Sequence, residues 1–348
     1  MNRNRKIGWI SIIASTALMT GCAAGSGSMP IDPPQAVPTG GQLRTGSTSG
    51  IADAQNAFKA TLYVRDGDGY TVPLGVRLPY ETPNFAQRTL EYMVKGGPVE
   101  ELLPEGFTAV LPEGTQVVSM DINTATKTAT IDFNKAFTNY EENEERQILE
   151  AITWAMTSFD SIEYVQLWVE GKALKEMPVA GTPLDHPLSR KFGINVERAS
   201  GVEFSRATPV TLYFLNQTAD NFTYYVPVTR LVHLTNDVAA ATIAELVKGP
   251  LDSSKLDAVF LPPDGEVSNT VALNGDQVHV DFDADLLGAA EKLPAEAIQA
   301  AVLSLTDLTA AAQVVITVGG ETTVIGTDDQ NYGAAPVLRP KVINELEL

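Results

Sequence analysis

The chain has 348 residues, 44% hydrophobic and 19% charged, with a formal net charge of -19. That length suggests two domains of ~150 residues, each able to bury a core. The acidity excludes a nucleic-acid partner, which needs clustered Lys and Arg against phosphate, and argues against anionic lipid or teichoic acid as an electrostatic partner.

The first predicted element is a leader over residues 1–22. Arg3, Arg5 and Lys6 form a basic start, and Ile7 to Leu18 is apolar apart from Ser11, Ser15 and Thr16. The run is shorter than the ~20 residues needed to cross hydrocarbon, so it reads as a signal peptide. Leu18, Met19, Thr20, Gly21 and Cys22 then resemble a bacterial lipobox, with Met19 where Leu is usual. Cys22 is the only cysteine of the chain. The mature protein therefore has no disulfide, thiolate metal cage or cysteine nucleophile. Acylation of Cys22 would hold the chain at the membrane, since each buried CH₂ is worth ~0.8 kcal/mol. No later apolar run suggests a transmembrane helix.

Residues 23–58 are rich in Gly, Ser, Thr and Pro and read as a flexible tether with a mean reach of about 30–35 Å. Gly46 to Gly50 fails as a nucleophile elbow, because Thr48 stands where serine is needed and no strand precedes it.

An internal repeat organises the remainder. ATLYVRD at 60–66 returns as VTLYFLN at 210–216, and MVKGGP at 93–98 as LVKGP at 246–250. AVLPEGTQV at 109–117 returns as AVFLPPDGEV at 258–267, and TATIDFNKAF at 128–137 as VHVDFDADL at 278–286. VQLWVEGKAL at 165–174 matches VVITVGGETT at 314–323, and PLSRKFGIN at 187–195 matches PVLRPKVIN at 336–344. A period this long means two whole domains, placed at 59–200 and 201–348.

Each copy predicts β-β-α-β-β-α-β-β, an α+β domain with two helices on one face of a sheet. The first strand, Thr61 to Arg65, is followed by one from Tyr70 that Pro73 confines to an edge; Pro227 does the same in the second copy. Thr82 with Pro83, and Asn236, are the expected N-caps of the first helix in each copy, with Gly96–Gly97 and Gly249 ending it. A hairpin of period 2 follows, closed in the second copy by Asn274-Gly275 as a type I′ turn. In the second helix of each copy, Ile148, Ile152, Ala155, Met156 and Phe159, or Ile298, Val302, Leu305 and Leu308, face inward. Tyr164 to Glu170 is the last strand before a short extension.

The lipobox, IDPPQ at 31–35, the VKGGP and VKGP helix ends, AVLPEGT, ATIDF, LKEMPVAGTPL at 174–184 and LSRKFGIN together resemble the GerM family of sporulation and spore-germination lipoproteins. The resemblance covers essentially the whole chain. It implies two tandem GerM domains related in fold to ring-building motifs. It also implies a non-enzymatic scaffold of the mother cell–forespore transenvelope channel, with envelope proteins as partners and an effect on germination. The implied place is the extracytoplasmic face of the membrane, in the intermembrane space. It supplies no catalytic residue and no cofactor.

Other candidates are weaker. His186, His233 and His279 lack metal-ligand spacing, although His279 shares a strand face with Asp281. Asp281, Asp283 and Asp285 form a carboxylate row that would need outside oxygen ligands to take Ca²⁺, and the first copy has Asp132, Asn134 and Ala136 instead. Glu141, Glu142, Glu144 and Glu145 could be a glycosidase pair, but fit a helix-dipole cap more simply. Tyr213, Phe214, Tyr224 and Tyr225 could form a sugar platform or a partner surface, although about half of such residues are ordinarily core; the first of these makes a peptidoglycan-binding module the alternative function. Trp154 and Trp168 read as core or domain-interface residues.

Overall fold

The computed structural model describes residues 57–79, 84–261, 269–284, 292–308 and 312–346. The leader, lipobox and nearly all of the tether, together with Thr82, Pro83 and Asp285, lie outside them.

The first repeat opens with a long antiparallel hairpin, β1 (Ala57–Arg65) and β2 (Thr71–Pro79). Next come α1 (Phe85–Glu91), β3 (Val117–Asn123), β4 (Thr128–Phe133), α2 (Glu145–Met156), β5 (Tyr164–Val169) and β6 (Lys172–Ala173). A short strand, β7 (Glu197–Arg198), leads into the second repeat. That repeat has β8 (Ala207–Gln217), β9 (Thr223–His233), α3 (Val238–Lys248), β10 (Asn269–Asn274), β11 (Gln277–Phe282), α4 (Ala295–Leu308), β12 (Gln313–Val318) and β13 (Val337–Leu338). The expected α+β order recurs in both copies.

Within each repeat the strands divide between two sheets. β3-β4-β5-β6 and β10-β11-β12-β13 are mixed four-stranded sheets, whereas each long hairpin is separate. The central pairs β4/β5 and β11/β12 are parallel, because α2 and α4 supply the crossover that a parallel connection needs. Period 2 sets the sheet faces: Ala129, Ile131 and Phe133 are buried while Thr128, Thr130 and Asp132 are half-buried. α2 touches both the hairpin and β5, and is buried at every position from Ile148 to Met156. A helix with one apolar face could not be covered this way; Ala151, Thr153 and Ala155 are small enough for the approach on the remaining sides. Each fully buried Ile or Leu there contributes about 1.5–3 kcal/mol.

Three local expectations are corrected. Asn84 caps α1 by accepting from the Gln87 N–H, and Asp237 caps α3 by accepting from Ala240; both lie downstream of the expected residues. α1 stops at Glu91, and the chain makes a further turn before Gly96, whose φ is +73°; Gly249 ends α3 as expected. The β10–β11 turn is Gly275-Asp276, flanked by the Asn274↔Gln277 pair. Only Gly275 has positive φ, so the turn has glycine in the first central position and is not type I′.

Candidate functional site

The residues at the junction of the two repeats come from the matched tails. After Leu188 the first tail leaves its own sheet and runs along β9 of the second repeat. Ile194 O accepts from Thr229 N at 2.8 Å, Glu197 and Arg198 pair in parallel with Arg230 and Leu231, and Ala199 N donates to Leu231 O. The second tail returns the favour along β2. Gly75 N donates to Ile343 O at 3.1 Å, Glu345 bridges Gly75, and Leu346 N donates to Gly75 O at 2.9 Å. Each tail therefore covers the hairpin edge of the other repeat. The domain boundary at 200/201 falls after a segment already paired to the second repeat.

An asparagine at the same position of each tail fastens the exchange. Asn195 donates to Thr71 O and Pro227 O and accepts from Thr71 N, at 2.7–2.8 Å. Asn344 donates to Tyr225 O and Pro73 O and accepts from Tyr225 N, at 2.8–2.9 Å. Each clamps one residue of its own repeat and the proline carbonyl of the other. Both have left-handed backbone, φ 47° and 53°, which Asn tolerates better than most residues. Pro73 sits on β2, an outer strand as expected, whereas Pro227 sits on β9, which lies between β7 and β8; lacking N–H groups, both present only carbonyls to the tails. Packing is complementary too: a Cβ at Gly75 would collide with Val342, while at the related contact Gly193 makes room for Thr229.

Around this clamp lie the arginines at matching positions of the two tails. Arg190 and Arg339 both reach Asp307 of α4, Arg339 at 3.0 Å, and the Tyr213 hydroxyl donates to the same carboxylate. Arg190 lies over Trp154 at 4.5 Å, and Trp154 Nε1 donates to Gly193 O, which places that indole at the junction. Burial pushes the neighbouring Tyr63 phenol up to about 12. At the far end of the hairpins, Tyr224 donates to Asp66 and Asn216 to Asp68. Burial, the largest influence, raises the Asp66 pKa despite the bonds it accepts from Tyr70 N, Tyr224 and Asp68 N.

The remaining candidates are placed individually. Tyr213, Phe214, Tyr224 and Tyr225 are all buried, so they offer no platform for a sugar. Glu144 pairs with Lys95 and accepts from Glu141 N, a cap as expected. Glu145 is instead buried and gathers the loop at 179–182 by accepting from Tyr140, Val179, Ala180 and Thr182. Burial raises its pKa, but the bonds from Thr182 and Ala180 bring it below the usual carboxylate range. Asp281 accepts from Thr317 and Gly320 N, and Asp132 accepts from Gly171 N, so each braces the equivalent strand-end turn of its own repeat. His186 and His233 are exposed; His279 lies half-buried between Ala272 and Val315 in the sheet. Trp168 is half-buried on the outer face of its sheet.

The sequence reading missed Arg230. It is fully buried, bonded to Glu197 at 2.7 Å, Glu245 at 3.0 Å and Gly249 O at 2.9 Å. The first repeat has Val76 at the related position. A single cation in the apolar run YYVPVTRLV was the available signal, since such a charge must be paired when buried.

Among the terminal strands of the described sheets, two are longer than the two-residue β6 and β13 and occupy related positions in the repeats. β3 and β10 end the order of their sheets; β3 carries a bulge near Val117–Ser119, with Val118 exposed, and β10 exposes Leu273.

Comparison with known proteins matches residues 61–175 and 211–324 to the family described as Germane, sporulation and spore germination. A curated relative, the spore germination protein GerM of Bacillus subtilis strain 168, is 35% identical over 355 residues, covering 95% of each chain. A solved structure of the tandem GerMN domains of the B. subtilis sporulation protein GerM superposes with a TM-score of 0.77 at 36% identity. It covers 84% of this chain and all of that one.

Proposed function

The chain belongs to the GerM family of sporulation and spore-germination proteins, and from that premise we propose that it is a non-enzymatic, lipid-anchored scaffold of sporulation. Cys22 is the acylation site, Leu18 to Gly21 its lipobox, and the extracytoplasmic face of the membrane its place. There the paired domains help to assemble or stabilise the channel complex between mother cell and forespore, and so affect germination. Its direct partners are envelope proteins of that complex.

The observation that carries the scaffold reading is the reciprocal exchange of tails. It fastens two homologous domains into one body through residues at matching positions, and it commits the conspicuous polar groups of the junction to holding that body together. Among the described residues the edges of β3 and β10 pair with no further strand, one in each repeat, and a partner strand adds there by main-chain bonding. Two related edges on one body suit a bridging role.

The test is fluorescence localisation of the full chain in sporulating cells beside Cys22→Ala. Enrichment at septal and engulfing membranes, lost with Cys22→Ala, is the expected result. Uniform envelope fluorescence unaffected by sporulation overturns the reading.

A further inference from the structure

A cavity of about 650 Å³ opens between the repeats, bounded by β1, the ends of α2 and α4, and both tails. That volume is in the range of small-ligand sites. Its lining has four cations, Lys59, Arg190, Arg339 and Lys341, against two carboxylates, Asp160 and Asp307. A basic lining is unexpected in a chain of net charge -19, because the overall composition favours acid at any surface.

The cations are not equally committed. Asp307 is nearly sealed from water and is shared by two guanidiniums. Arg339 is also held by Leu303 O and Thr306 at the last turn of α4, so it forms the wall. Lys59 is paired with Glu345 at 2.8 Å. Arg190 uses Nε on Thr157 and Nη1 on Asp307, which leaves Nη2 without an acceptor among the described residues. Lys341 is exposed and bonds to no described residue. Arg190 Nη2, on a guanidinium paired with Asp307 through Nη1, and Lys341 Nζ thus line one cavity without an acceptor among the described residues. Trp154 lies under Arg190 at 4.5 Å, and the bonds to Thr157 and Asp307 hold the guanidinium from its Nε and Nη1 sides.

We propose that this cleft binds an oxyanion, a phosphate-type or carboxylate head group, through Arg190 Nη2 and Lys341 Nζ. A planar guanidinium with a free nitrogen suits a tetrahedral or planar oxyanion, and the lysine adds a mobile point charge. Arg190 comes from the first tail and Lys341 from the second, so the site exists only when the tails are exchanged. This inference does not depend on the scaffold reading.

The experiment is calorimetric titration of the detergent-solubilised full chain with inorganic phosphate and, separately, succinate, each against sodium chloride at matched ionic strength. Saturable binding of either anion is expected, and the stronger of the two identifies the head group. Lys341→Gln is expected to weaken it at least about 5-fold while leaving the melting temperature of the unliganded chain unchanged, because Lys341 holds nothing else. Arg190→Lys is expected to weaken it further by removing the fork. Heats no larger than those of chloride overturn the proposal. So does anion binding that Lys341→Gln and Arg190→Lys both leave unchanged, since the anion then sits elsewhere.

Discussion

Asn344 shows how much one side chain can carry. Its amide satisfies the Tyr225 N–H and carbonyl and the Pro73 carbonyl at a buried position. Removing it leaves three main-chain groups without a partner, and a buried unpaired group costs about 1–3 kcal/mol. Asn344→Gly isolates that loss, since glycine accepts φ 53° freely. It should cost about 3–4 kcal/mol in urea unfolding, near the lower end of that sum because water can reach the space glycine leaves, with Asn344→Ala costing about 1 kcal/mol more for the left-handed backbone. Equal losses for the two variants would show that the backbone relaxes. Glu145 makes a second prediction with a pH signature. Its folded pKa lies below the ordinary value, so the carboxylate adds stability that is fully present above the unfolded pKa of about 4.3. That stability is lost as pH falls through the lower folded value. Glu145→Gln puts an NH₂ among N–H and O–H donors and should cost about 2–3 kcal/mol at pH 7. The gap to wild type should close in acid. A gap independent of pH would mean that the charge contributes nothing.

At the scale of elements, period and repeat together made the order of strands and helices readable. TATIDF and VHVDF each alternate as half-buried strands, and Ile148, Ile152, Ala155 and Met156 mark the buried helix. The caps moved because neighbouring residues compete for the same role: Asn84 displaced Thr82, and Asp237 displaced Asn236. The aromatic cluster is buried in full rather than by half, for a different reason. Tyr224 alternates along a strand whose both faces are covered, one of them by the other repeat, and a single-domain pattern carries no record of that neighbour. The tails were visible as matched nonapeptides, yet their exchange was not, because the same match results whether a tail packs at home or across the junction. Gly75 was the remaining clue, a small residue within a strand where a backbone approaches closely. A Cβ there would lie 3.1 Å from Ile343 O and 3.2 Å from Glu345 Cα, besides striking Val342. Gly75→Val should therefore release the second tail. Limited proteolysis with mass detection should find cleavage near Lys341 that wild type resists, and resistance equal to wild type would show that β2 can shift to accept the side chain.

The whole molecule follows from that exchange. In a chain of two independent domains, contacts across the boundary are few and each half unfolds at its own temperature. Here each hairpin edge is completed by the other repeat, so unfolding either one strips main-chain bonds from its neighbour. One cooperative transition is the consequence. Tryptophan provides a local reporter, since Trp154 and Trp168 both belong to the first repeat and the third tryptophan, Trp9, lies in the leader. Far-ultraviolet circular dichroism follows both repeats. In the mature chain the two signals should trace the same thermal transition, the usual test for a two-state process. Gly75→Val should separate them, because it unlocks one of the two tails while leaving the first tail on β9. Coincident curves in both proteins would mean that the first tail alone couples the domains. Separate curves already in wild type would mean that the exchanged tails order the domains without joining their stability, and a scaffold built on them would then be hinged.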